Sequence, residues 1–160
     1  MNVNQQILDK AGEKGVMICV AESCTAGLVA AALTDLPGSS AVFERGFVTY
    51  TNAAKVQMLG VLPETLNAFG AVSEEVAREM AQGALRGSQA QIACSVTGIA
   101  GPGASEYKPE GRVCFGTASD LGVRSETVEF GALGRANVRQ AARDHALALI
   151  HKALCDLPNK

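Results

Sequence analysis

Two short, largely apolar runs constrain this chain more than anything else in it: Val16-Met17-Ile18-Cys19-Val20 and Ile92-Ala93-Cys94-Ser95-Val96. Neither alternates polar with apolar, and neither is long enough for a buried helix. Each reads as a strand covered on both faces, which requires helices above and below a sheet with parallel character. The surrounding pattern supplies those helices. Residues 4–14 place Ile7, Leu8 and Ala11 at helical spacing and stop at Gly15. A second helix carries Leu28, Val29, Ala32, Leu33 and Leu36 and is stopped by Pro37-Gly38. Residues 42–50 read as a strand, and Thr51-Asn52 as the cap of a helix reaching about Leu59. Residues 63–69 form a short helix, and Ser73 caps another that runs to Leu85. Residues 112–119 and 124–130 pair as a hairpin across Asp120-Leu121-Gly122. A last helix over 135–154 turns Val138, Ala142, Leu149, Ile150 and Ala153 inward. The fold predicted is α/β: a three-layer α/β/α sandwich on a mixed sheet, with a C-terminal hairpin and helix. No repeat or linker divides it, so residues 1–160 are expected to form one domain.

Composition removes several function classes. Aromatics are 4% with no Trp, and the net charge is −2 without a Lys/Arg cluster, which argues against a nucleic-acid partner. The N-terminal residues lack a signal peptide's basic start and apolar stretch, and no run is long enough to cross a bilayer. Five cysteines without a C-x-x-C pair, mostly inside apolar runs, fit reduced buried thiols in a cytoplasmic protein. Metal-ligand spacings are absent, so neither a metal nor a cofactor is expected.

In open α/β sheets ligands sit beyond the carboxyl ends of strands. Residues 21–27, 49–55 and 97–103 occupy such places and are rich in Ser, Thr, Gly and Tyr. Ser23 lies between a buried strand and a helix start, where first-turn amides can hold an oxyanion or a phosphate. The pattern alone favours a plainer role, with Ser23 or Thr25 capping that helix. His145 and His151 both fall in the last helix, away from these loops, which weakens Ser-His and Cys-His pairs and Cys24 as a nucleophile. Lys55 differs from the other lysines, which stand in polar or terminal contexts. It falls in the first turn of a helix, where the dipole disfavours added positive charge and lowers the pKa. A surface lysine on an amphipathic helix is the alternative. Tyr50 can bond Ser23 or Lys55, or only pack; Glu22 orients a hydroxyl or is an ordinary first-turn acid. Thr97-Gly98-Ile99-Ala100-Gly101-Pro102-Gly103 brings backbone amides within reach of an anion, or is a plain turn. Arg135 and Arg139, one turn apart, grip a phosphate or stay in solvent.

Several segments, in this order, resemble the nicotinamide-nucleotide amidase family, also found as the C-terminal domain of competence/damage-inducible CinA proteins. They are Ala21-Glu22-Ser23-Cys24-Thr25-Ala26-Gly27, Pro37-Gly38-Ser39-Ser40 and Phe43-Glu44-Arg45-Gly46-Phe47-Val48-Thr49-Tyr50. Asn52-Ala53-Ala54-Lys55, Gly70-Ala71-Val72-Ser73-Glu74 and Val96-Thr97-Gly98-Ile99-Ala100-Gly101-Pro102 continue the likeness, which covers nearly the whole chain.

The resemblance implies a stand-alone amidase domain that hydrolyses nicotinamide mononucleotide to nicotinate mononucleotide and ammonia, without metal, as a homo-oligomer. It implies Ser23 as nucleophile and Lys55 as base, with Tyr50 beside them. Glu22, Cys24, Thr25, Thr97, Gly98 and Gly101 would form the substrate site, and Arg135 or Arg139 would meet the phosphate. The chain departs from the family's usual pattern at Ala26, where Gly is usual, and at Leu133-Gly134-Arg135, where Gly-Asp-Arg is frequent. It also departs at Glu110, where an apolar residue is common. The alternatives are a catalytically silent nucleotide-binding or regulatory domain, an amidase for another small carboxamide, and a cysteine enzyme using Cys24.

Overall fold

Buried strands end where their backbone is needed elsewhere, and that rule sets the first strand of this protein. Gly15 adopts a left-handed conformation (φ 63°) and closes helix α1 (Val3–Lys14), while the Val16 amide still donates to Ala11 O at 3.1 Å. Strand β1 is therefore Ile18–Glu22, two residues later than the apolar run suggests, and Glu22 is its last residue. The computed structural model describes residues 2–159. After β1 come α2 (Leu28–Leu33), a 3-10 turn over Ser39–Ala41, β2 (Phe43–Val48), α3 (Asn52–Leu59), α4 (Pro63–Phe69) and α5 (Glu74–Arg86). Then follow β3 (Ile92–Gly98), the hairpin β4 (Arg112–Ser119) and β5 (Gly122–Glu129), and α6 (Arg135–Asp156).

The strands form one sheet in the order β2-β1-β3-β4-β5, with β1 parallel to both β2 and β3 and the hairpin antiparallel. One face packs Ile18, Val20, Ile92, Cys94 and Phe115 against Ile7, Val29, Val138, Ile150 and Leu154 of α1, α2 and α6. The other packs Cys19, Ala21 and Ala93 against Leu59, Val76, Met80 and Ala84 of α3 and α5. Both faces are covered, as the two apolar runs require. Each buried Ile or Leu contributes roughly 1.5–3 kcal/mol relative to an exposed one. Ser95, the polar residue in the second run, is satisfied there: its hydroxyl donates to Ala77 O of α5 at 2.6 Å.

Other boundaries move for similar reasons. Helix α2 stops at Leu33 rather than reaching Leu36, because the Thr34 hydroxyl donates to Ala30 O and Ala31 O, both at 3.0 Å. Strand β2 is shorter than residues 42–50 and β3 longer than 92–96, so Thr97 and Gly98 are strand residues. On α6, Ala146, Leu147 and Leu154 are buried, whereas Leu149 and Ala153 are only half-buried. Lys14, expected in a polar setting, is 5% exposed; its Nζ donates to Leu154 O at 2.6 Å and also to Leu157 O, closing the end of α6. Among the described residues no helix is long and apolar enough to cross a membrane.

Candidate active site

Three chain segments leave the carboxyl ends of β1, β2 and β3 side by side, and a cleft of about 320 Å³ lies over them. Ser23 follows β1 at once, its amide held by Val96 O of β3 at 2.9 Å. Thr49 follows β2, its amide held by Glu22 O at 2.8 Å. Thr51 caps α3 through its side chain, which accepts from the Ala54 amide at 3.0 Å, so the helix starts where Lys55 returns to the strand ends. Ser23, Cys24, Tyr50, Lys55, Thr97, Gly98, Gly101 and Arg135 all line the cleft.

At its floor Lys55 is 1% exposed, with Nζ 3.0 Å from Ser23 Oγ, 2.9 Å from Thr49 O and 3.3 Å from Tyr50 O. A neutral amine has two N–H donors and one lone pair. Two carbonyls take the donors, and the lone pair is left for the serine hydroxyl proton. Burial pushes the Lys55 pKa below its ordinary value, and Cys24 and then the Glu106 carboxylate oppose that only in part. The neutral form is thus favoured by the same packing that aims it.

The plain capping role for Ser23 and Thr25 fails on geometry. Helix α2 begins at Leu28 with Gly27 at its cap position, and no side chain of residues 23–27 caps it. Glu22 does so from the strand: fully buried, its carboxylate accepts from the Val29 amide at 2.9 Å and the Ala30 amide at 3.0 Å. It orients a helix rather than a hydroxyl. The first-turn amides of α2 are consequently occupied, since Leu28 donates to Thr25 O and Ala31 to Gly27 O. They offer nothing to an oxyanion, contrary to expectation. The amides of Cys24 and Thr25, in contrast, donate to no protein acceptor among the described residues.

Arg139 stands outside the cleft lining. Its Nε donates to Cys24 O at 3.0 Å and its terminal nitrogen to Thr25 O at 3.4 Å. Arg135 is at the rim, donating to Gly101 O at 2.6 Å and to the Tyr50 hydroxyl at 2.8 Å. The Tyr50 hydroxyl is thus committed to Arg135, and it is the Tyr50 carbonyl that meets Lys55. Thr97 ties its hydroxyl to Ala71 O at 2.8 Å, holding the turn between α4 and α5 against the cleft. Gly101 has φ 89°, and a Cβ there would stand 1.8 Å from Glu110 Oε1. The Glu110 carboxylate in turn accepts from the Gly103 amide at 3.1 Å and closes the glycine-rich loop, which gives this departure a local role.

The histidines stay away, as expected: neither lines the cleft, and His145 packs tilted against Phe115 and edge-on to Phe130. Cys24 does line it, but burial pushes its thiol up to about 12, so it stays protonated at neutral pH. Ala26 has φ 47°, a left-handed conformation costly for any residue with a Cβ. Ala26→Gly is expected to raise stability by about 0.5–1 kcal/mol, the strain relieved less the added freedom of the unfolded chain. Thermal or urea unfolding of the two proteins reads it, and a less stable variant would refute strain at this position. Sequence reasoning passed over Asn52, Ala71, Val72 and Glu106, which also line the cleft. The first of these was visible as the residue after the Thr51 cap. The other three come from segments whose approach depends on tertiary packing.

Comparison with known proteins gives one consistent set of relatives. The profile of the CinA C-terminal domain matches residues 1–154. A CinA-like protein of Chlorobium phaeobacteroides (strain BS1) is 52% identical over 147 residues, 89% of this chain and 35% of that protein. The chain spans little more than a third of the length of such longer relatives. The nicotinamide-nucleotide amidohydrolase PncC of Escherichia coli (strain K12) is 49% identical over 148 residues, 92% of this chain and 90% of that one. The crystal structure of the competence/damage inducible protein CihA from Agrobacterium tumefaciens superposes with a TM-score of 0.92 at 48% identity, covering 96% of this chain and 94% of that one.

Proposed function

The chain belongs to the CinA C-terminal domain family, and from that premise we propose that it is a nicotinamide-nucleotide amidase acting through Ser23 and Lys55. The observation that carries the reading is the buried Lys55 amine, held by two carbonyls with Ser23 Oγ 3.0 Å away. Lys55 takes the Ser23 proton as Oγ attacks the carboxamide carbon of nicotinamide mononucleotide. The Cys24 amide, which lines the cleft and donates to no protein acceptor among the described residues, receives the oxyanion. Arg139, by binding Cys24 O, fixes the loop that carries this amide. The Lys55 ammonium gives the proton to the carboxamide nitrogen as the C–N bond breaks, releasing ammonia, and water deacylates the serine by the same proton path. The products are ammonia and nicotinate mononucleotide.

Arg135 is the phosphate contact. It sits on the rim with donors to spare beyond its bonds to Gly101 and Tyr50. Glu22 and Arg139 act as positioning residues for the nucleophile loop, while Tyr50, Thr97, Gly98 and Gly101 shape the wall. The described fold serves as one domain over residues 1–160, working in the cytoplasm as a homo-oligomer. The open β2 edge of the sheet and the exposed Val48, Met58 and Leu62 support association. The net charge of −2 speaks against a nucleic-acid partner.

Purified protein is expected to release ammonia from nicotinamide mononucleotide without added metal. Nicotinamide riboside, which lacks the phosphate, is expected to react about 10- to 100-fold less efficiently, and Arg135→Ala to erase most of that difference. Tight binding of the nucleotide without ammonia release would replace this reading with a silent nucleotide-binding domain. Equal rates on both compounds would indicate an amidase for another small carboxamide.

A further inference from the structure

We propose that Glu106 determines the specificity of this cleft by reading the positive charge of an N-ribosylated pyridine ring. The inference rests on the substrate reading above and extends it to the ring's charge state. Among the described residues three charged side chains line the cleft. Lys55 is tied to the nucleophile on the floor, and Arg135 is tied to Tyr50 and Gly101 at the rim. Glu106 is the one carboxylate.

Its setting is built rather than incidental. Ser105 and Lys108 exchange backbone hydrogen bonds of 3.1 and 2.8 Å around Glu106 and Tyr107, whose φ angles are 51° and 63°. Two consecutive left-handed residues at a two-residue turn are ordinarily Asn-Gly or Gly-Gly, because a Cβ makes the conformation costly. Here the turn carries Glu and Tyr. Tyr107 is fully exposed, so its packing does not offset the strain. The turn is pinned from below by Lys108, whose Nζ donates to Phe69 O and Val72 O, each at 2.5 Å. Strained backbone of this kind persists where a side chain must be held at a site.

The Glu106 carboxylate is exposed and has no hydrogen bond or ion pair among the described residues, and the neighbouring cation, Lys108, is occupied by carbonyls. A positive pyridinium ring is the charge complement for this carboxylate, since Lys55 and Arg135 are tied elsewhere. After hydrolysis the ring keeps its positive charge but carries a carboxylate beside it, so Glu106 attracts the acid product less than the amide. One side chain thus favours entry of the amide and departure of the acid. Its field reaches the dyad as well, since Glu106 opposes the burial that lowers the Lys55 pKa.

The test compares wild type with Glu106→Gln and Glu106→Lys at low ionic strength. Ammonia release gives KM for nicotinamide mononucleotide. Competitive inhibition gives Ki for its dihydropyridine form, whose ring is uncharged, and for nicotinate mononucleotide. Glu106→Gln is expected to raise KM about fivefold, leave the dihydropyridine Ki unchanged and shift the Ki of the acid product by less than the KM; Glu106→Lys is expected to do the same more strongly. Equal shifts for charged and uncharged rings, or none, would overturn the inference while leaving the amidase intact. A wild-type protein that releases no ammonia would instead remove the reading beneath it.

Discussion

Replacing Ser23 with alanine is expected to lower ammonia release from nicotinamide mononucleotide by about 10⁴-fold or more, leaving the protein folded. The side chain makes one hydrogen bond, to Lys55, whose amine keeps its two carbonyl partners when the hydroxyl is gone. Nothing else is left unpaired, and the loop stays fixed by Glu22, Arg139 and the Ser23 amide. Mass spectrometry of acid-quenched wild-type reactions supplies the positive half of the test: an acyl group on the peptide carrying Ser23, absent from the variant. Near-normal turnover by Ser23→Ala would end the serine assignment and turn attention to Cys24, whose raised pKa makes it a poor nucleophile at neutral pH.

Lys55→Met is expected to cost about 10³-fold in turnover and to make the protein more stable. Methionine fills a similar buried slot without an ionisable group. The wild-type pKa is lowered in the folded state from its ordinary 10.5, so between those two values the unfolded chain binds more protons than the native one. Wild-type stability therefore rises with pH across that window. The stability gain of Lys55→Met should be largest below the folded-state pKa and shrink as pH approaches 10.5. Activity follows the same group: wild-type kcat/KM should climb with pH through the lowered pKa and level off, and the variant should lack that limb. Denaturation at several pH values together with pH–rate profiles checks both. A variant with wild-type activity at pH 7 to 8, or with an unchanged pH limb, would show that Lys55 is not the base.

Much of this arrangement could be read from the chain. Two apolar runs demanded helices on both faces of a sheet, and the strand-end rule then gathered residues 21–27, 49–55 and 97–103. That gathering is what puts Lys55 beside Ser23. The misread details share a cause: each depends on a hydrogen bond between residues whose proximity no local pattern encodes. Strand β1 starts late because Val16 still serves the end of α1. Glu22 looked like an acid near a hydroxyl, yet the helix it caps begins six residues later, at Leu28. Lys14 looked solvated, although its acceptors lie at the far end of the chain. The strain at Glu106 and Tyr107 leaves no signature either, since nothing local tells a strained turn from a relaxed one.

The bond from Lys14 to Leu154 spans 140 positions of sequence. Its two helices cover one face of the sheet, and the later of them carries the two arginines that hold the Ser23 loop and the cleft rim. During synthesis, at about 5–20 residues per second, nucleophile and base emerge early, but α6, which holds the nucleophile loop, begins only at Arg135. A nascent or C-terminally truncated chain would expose the apolar face of β1 and β3 and leave the carbonyls of Cys24 and Thr25 unheld. Catalytic competence is thus tied to synthesis of α6, and translation products that stop short of it should be inert toward the nucleotide pool.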